Sequence, residues 1–173
     1  EELAMEQKAS LDSLTGLYNR GSLKDIASRL IEEAKANDLP LTFFILDVDD
    51  FKSINDKHGH MKGDMVLRNI ASVLKASFHF EDIIGRLGGD EFVVVAKTIP
   101  YDGLIQKAQS LAKTISSSVS THAYSVSVSI GVCPLTDKIQ TFDQLYKKAD
   151  SLLYDAKANG KNQSVVFEEG LKK

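Results

Sequence analysis

The chain has a single cysteine, no tryptophan and only three prolines in 173 residues. One thiol, Cys133, excludes an intrachain disulfide and suits a reducing, cytoplasmic compartment. No apolar run reaches the roughly 20 residues that cross a bilayer, and the first residues do not read as a secretory leader. Positive charge is not in excess either. The net charge of −3 excludes a general attraction to nucleic acid or to an anionic membrane surface. A phosphate-bearing ligand must then be met by local cations or by a metal ion. The histidines at 58, 60, 79 and 122 show no zinc spacing and have no cysteine partners. There is no G-x-x-x-x-G-K-[ST] loop, and "GRLGG" fails the dinucleotide fingerprint.

What is present is the composition of one globular domain, 43% hydrophobic and 26% charged, long enough to bury a substantial core. Residues 1–11 read as the end of a charged helix, and "DSLTGLYNR" (12–20) as a polar connector. Apolar residues recur at helical spacing over 22–36, 62–76, 104–115 and 142–156. "LTFFILDV" (41–48) is a short continuous apolar run, the pattern of a strand buried on both faces. The polar stretch 49–64 reads as a loop holding a helical turn. Residues 82–87 and 91–97 flank Gly88-Gly89 as a hairpin, "YSVSVSIGVCPL" (124–135) alternates with strand period, and "SVVFE" (164–168) closes the chain as a strand. This order predicts an α+β fold: a mixed, mostly antiparallel central sheet flanked by helices.

The acids fall in unexpected places. Asp47 sits at the end of the most hydrophobic strand, followed at once by Asp49 and Asp50, while Asp90 and Glu91 occupy the tip of the apolar hairpin. A lone strand-end acid is ordinarily solvated or caps a turn. If β-strand and hairpin are neighbours, however, two carboxylates and the Val48 carbonyl converge. Such an oxygen set suits Mg²⁺ or Mn²⁺. Past the acids, Asp50-Phe51-Lys52 offers successive N–H groups to a phosphate. Lys157 and Lys161 bracket the end of the last helix. Each lysine alone reads as a surface residue, and Asn55 and Asp64 alone read as turn formers.

Taken together, these stretches resemble the GGDEF family of bacterial diguanylate cyclases. "RLGGDEF" (86–92) is similar to the signature, "DSLTGLYNR" to its D-x-L-T-x-L-x-N-R turn, "DVDDFKSINDKHGHMKGDMVL" (47–67) to its long central motif, and "YDAKANGKN" (154–162) to its late Y-x-A-K-x-x-G-[RK]-N. The resemblance runs from about residue 12 to 167 and makes 12–173 the catalytic domain. It implies the fold of the nucleotidyl cyclase and polymerase palm. It further implies condensation of two GTP into cyclic-di-GMP and two pyrophosphates, by a dimer of half-sites with divalent metal.

Carried over residue by residue, Asp47, the Val48 carbonyl and Asp90 would hold metal. Glu91 would complete the acidic site as a candidate base, and Lys52, counted with these acids as catalytic, would meet the triphosphate. Lys157, Lys161 and the backbone at Phe51 would meet the triphosphate, while Asn55 and Asp64 would read guanine. Gly88 and Gly89 would let the backbone approach the ligand. An upstream sensory or receiver domain is the expected partner, and the start at Glu1 fits a segment cut from such a chain.

Two positions depart from the pattern. His79 stands where product-inhibited members carry the arginine of R-x-x-D, so weak or absent feedback is expected. Lys161 replaces a more usual arginine, which keeps the charge and loses the bidentate geometry. The alternative is a catalytically inactive domain serving as a nucleotide sensor or interaction module. The complete signature, with Asp47 and Lys52, favours the enzyme.

Overall fold

The computed structural model describes residues 10–168. Its elements, in chain order, are α1 (Arg20–Asn37), β1 (Thr42–Val48), α2 (Phe51–His58), α3 (His60–Ser77), β2 (Ile83–Gly88), β3 (Glu91–Ala96), a 3₁₀ turn (Tyr101–Gly103), α4 (Leu104–Val119), β4 (Val128–Pro134), α5 (Phe142–Ala158) and β5 (Ser164–Val166). The strands form one sheet in the order β2-β3-β1-β4-β5, antiparallel except for the β4/β5 pair. The expected α+β architecture is the one observed.

Strand alternation decides which helices cover which face. Phe44, Leu46 and Val48 of β1 pack with Phe92, Val94 and the apolar stripes of α3 and α4. Phe43 and Ile45 face the other way, with Val93, Val95, Cys133 and the buried faces of α1 and α5. β1 is thus buried on both sides, as its unbroken apolar run requires. Local chemistry supports the layers: Asn19 caps α1 by accepting from the Ser22 N–H, and Thr141 and Gln144 form a capping box on α5.

Three expected boundaries change. The stretch 49–64 is not a loop with a helical turn but holds all of α2 and the start of α3, divided at Gly59 (φ 88°). A single buried residue, Ile54, anchors the short α2, so it leaves little hydrophobic period to read. β4 begins four residues later than the alternation suggests, because Ser120 Oγ binds both the N–H and the carbonyl of Val126 and holds 120–126 as a turn. β5 covers only Ser164–Val166. The expected helix end at 1–11 lies, for residues 1–9, outside the described residues, and Leu11 pairs with Tyr18 as an isolated bridge.

Candidate active site at the ends of β1 and β3

Pairing of β1 with β3 sets Asp47 directly opposite Glu91, and both continue the rows that face α1 and α5. The connection from β2 to β3 is as tight as the glycine pair predicts. Gly88 and Gly89 have φ of 143° and 50°, and a register shift falls between Arg86 and Gly88. The turn brings the Asp90 carbonyl to the Val48 N–H at 3.3 Å. Asp47, Val48, Asp90 and Glu91 are therefore gathered at one end of the sheet.

Lys157, near the end of α5, donates to Asp47 Oδ2. Asp47 Oδ1 is buried and finds no hydrogen-bond partner among the described residues. Burial first, and then the neighbouring Asp47, push the Asp90 carboxyl up to about 7, against the opposing pull of its own backbone N–H and of Lys157. Burial also raises Glu91, and Asp150 and Asp47 add to it. Tyr146, which donates to Glu91 Oε1, and Arg20 act the other way.

An unsatisfied buried carboxylate oxygen beside a second carboxyl fits a hard divalent cation. Among the described residues no group of three or more His, Cys, Asp or Glu is placed to hold a metal. That donor set fits an ion shared with substrate phosphates and waters better than a closed structural site.

The remaining candidates lie around this centre. Asp50, in a left-handed conformation (φ 52°), precedes α2, so Phe51 and Lys52 open that helix. Lys52 is exposed and has no ion pair among the described residues, whereas Lys161 Nζ binds Asp50 Oδ1 at 2.7 Å. Asn55 of α2 lies against Gly63 of α3, where a Cβ would come within 1.8 Å of Asn55 Oδ1. The neighbouring Asp64 is half-buried on the same helix pair. Gly88 and Gly89 have nothing within 4 Å of an added Cβ, so the hairpin tip faces open space.

Sequence reasoning assigned no role to Tyr146, nor to the clamp behind the hairpin. Arg86 donates to the Gly89 carbonyl at 2.7 and 3.0 Å and to Asp12 at 3.1 and 3.2 Å, so the polar turn 12–19 is fastened to the signature loop. Both residues stood inside recognised motifs, but their pairing spans 74 positions and no local pattern reveals it.

Burial raises the Asp12 carboxyl, yet hydrogen bonds from Thr15 and Arg86 outweigh it and hold the group below its ordinary value. Asp12→Asn is expected to cost about 2 kcal/mol at pH 7. That contribution should persist above the unfolded value of 3.8 and fade as pH falls through the lower folded value. Denaturant unfolding of both proteins at pH 7 and pH 3 checks it, since an equal difference at both would contradict the assignment.

Residues 9–163 match the family model for the diguanylate cyclase GGDEF domain. The chain is 36% identical over 162 residues to diguanylate cyclase DgcS of Shewanella oneidensis, covering 91% of this chain and 53% of that protein. It is 35% identical to the response regulator PleD of Caulobacter vibrioides, again over 91% of this chain but 36% of the relative. The chain thus spans about half, or less, of the curated relatives it matches. Among solved structures, the coiled coil and GGDEF domain of DgcB from Caulobacter crescentus, in complex with c-di-GMP, superposes with a TM-score of 0.88 at 26% identity, covering 96% of this chain and 90% of that one. The hairpin acids, the turn clamped behind them and the match from residue 9 onward agree on one assignment: this chain belongs to the GGDEF domain family of diguanylate cyclases.

Proposed function

We propose that the chain condenses two GTP into cyclic di-GMP, each 3′-hydroxyl oxygen attacking the α-phosphorus of the other nucleotide. One phosphorus–oxygen bond forms, the bond to pyrophosphate breaks, and the hydroxyl proton passes to a base. Glu91, held by Tyr146, is the base this reading assigns. Lys157, Lys161 and Lys52, with the N–H groups opening α2 at Phe51 and Lys52, hold the triphosphate. Asn55 and Asp64 read the guanine edge, and a buried polar site of that kind rejects a base that leaves its groups unpaired. Asp47, the Val48 carbonyl and Asp90 would hold Mg²⁺ or Mn²⁺. Such an ion, when bound, neutralises charge developing on the phosphates.

The observation that carries this reading is the buried, unpartnered Oδ1 of Asp47 beside Asp90. One domain supplies one half-site, so two copies must face each other, and an upstream domain is the natural control on that encounter. The test is incubation with GTP and Mg²⁺, with a dimerising helix fused if needed, and identification of the product by mass. Cyclic di-GMP supports the proposal. Nucleotide binding without product turns the assignment to an inactive sensor module.

Feedback through the His79–Asp82 segment is expected to be weak or absent. Asp82 is buried and its oxygens already accept from the His79 and Lys97 N–H groups and from the Thr98 hydroxyl at 2.8–3.2 Å. His79 Nδ1 is occupied by the Glu81 N–H. Calorimetric titration with cyclic di-GMP checks this: micromolar binding lost on His79→Ala would refute it.

A further inference from the structure

We infer that Asp49 is not a metal ligand but the positioning residue that sets Lys161 over the start of α2. The inference rests on the reading of Lys161 as a triphosphate contact. Asp49 lies two residues past Asp47, and in a D-x-D run at a phosphate site it invites the role of a second ligand. Its surroundings exclude that role. The side chain is 6% exposed, and its oxygens are taken by protein donors. Ser129 Oγ binds Oδ1 at 2.6 Å, while Ser127 Oγ and the Asn162 N–H bind Oδ2 at 2.7 and 2.9 Å. The Asp49 N–H in turn donates to the Ser127 carbonyl at 2.9 Å. No ion pair is made by this buried carboxylate among the described residues; its three hydrogen bonds come from neutral donors, and Lys161, paired with Asp50, adds only a longer-range attraction.

Those donors come from separate parts of the chain: β4 and its approach, and the loop after α5. Asp49 therefore ties the end of β1 to a loop more than a hundred positions away. That loop needs tying. Lys161 and Asn162 are consecutive non-glycine residues at φ 64° and 49°, a conformation L residues avoid unless surrounding bonds impose it. The Asn162 N–H held by Asp49 belongs to the peptide unit that follows Lys161. With that unit fixed, the Lys161 side chain reaches Asp50, at the entrance to α2. Two of the alternating serines of "YSVSVS" also acquire a purpose, since the Ser127 and Ser129 hydroxyls both donate to this carboxylate.

Asp49→Asn removes one acceptor and sets an amide N–H₂ against existing donors, releasing the Lys161 loop. Calorimetry with a GTP analogue bridged by α,β-methylene should show affinity falling about tenfold, the scale of lost supporting contacts. Lys161→Met should fall by a similar factor, and the double variant no further, because both changes remove one function. In steady state, KM should rise with kcat changed less than KM. Wild-type affinity in Asp49→Asn beside weak binding in Lys161→Met would overturn the inference and leave the triphosphate reading intact. Additive losses would overturn it as well, since Asp49 would then act elsewhere. Unchanged binding in Lys161→Met would remove the reading on which it stands. If Asp49→Asn does not fold, Ser127→Ala, at a half-buried site, should give a smaller loss that is likewise absent when Lys161 is methionine.

Discussion

Replacing Asp90 with asparagine is expected to abolish turnover, by about a thousandfold or more, while making the metal-free protein more stable. The two effects share one cause. Asp90 and Asp47 are held together at the strand ends, and burial with that proximity keeps the Asp90 proton bound up to about 7 in the folded chain. An unfolded aspartate has lost its proton well below that pH. Between the two values the folded state binds more protons, so stability falls as pH rises from about 4 towards 7.

Asparagine occupies the same space without the charge. Its gain at pH 8 in a chelator is about 2 kcal/mol, the linkage value reduced for a half-exposed carboxyl, or about 5 °C in melting temperature. Melting curves in chelator at pH 5 and pH 8 test this directly. The wild type should lose ground at pH 8 and recover it on adding Mg²⁺, and the variant should do neither. A variant less stable than wild type at pH 8 without metal would show that the two carboxyls do not oppose each other.

Gly131→Ala is expected to unfold the domain or come close to it. The residue lies in the middle of β4, and its conformation is one any residue could adopt. Space is what forbids a side chain. A Cβ at 131 would sit 2.0 Å from the Ala149 carbonyl oxygen and 2.5 Å from the Leu153 nitrogen, both backbone atoms of α5. Backbone of a packed helix cannot turn aside as a flexible side chain can, so α5 as a whole must lift from the sheet. A cost of about 3 kcal/mol or more follows.

Because α5 carries Tyr146 and Lys157, whatever folds should also bind nucleotide poorly. Thermal unfolding of Gly131→Ala beside Gly103→Ala, where the added Cβ meets nothing within 4 Å, separates packing from any general effect of losing a glycine. Equal melting temperatures for the two variants would contradict the close contact.

Much of the candidate site was legible because its letters are local. The run 41–48 announced a doubly buried strand ending in Asp47, the glycine pair announced a tight turn under Asp90, and both are observed. α2 was hidden for a physical reason: a helix with a single buried residue offers no stripe to detect. The Arg86–Asp12 clamp, the Tyr146 bond to Glu91 and the latch on Asp49 were hidden because each joins residues 55 or more positions apart.

By itself, the sequence determined every element type outside the stretch 49–64, the family and the cluster of acids to watch, since periodicity, turn glycines and motif spacing are properties of neighbouring residues. Tertiary structure alone decided what each acid meets. Asp47 and Asp49 are chemically identical and two residues apart, yet one keeps a buried oxygen without a donor among the described residues and the other has its oxygens bound by protein donors. That difference comes from what β4, α5 and the hairpin bring to each carboxylate, and only packing distributes those partners.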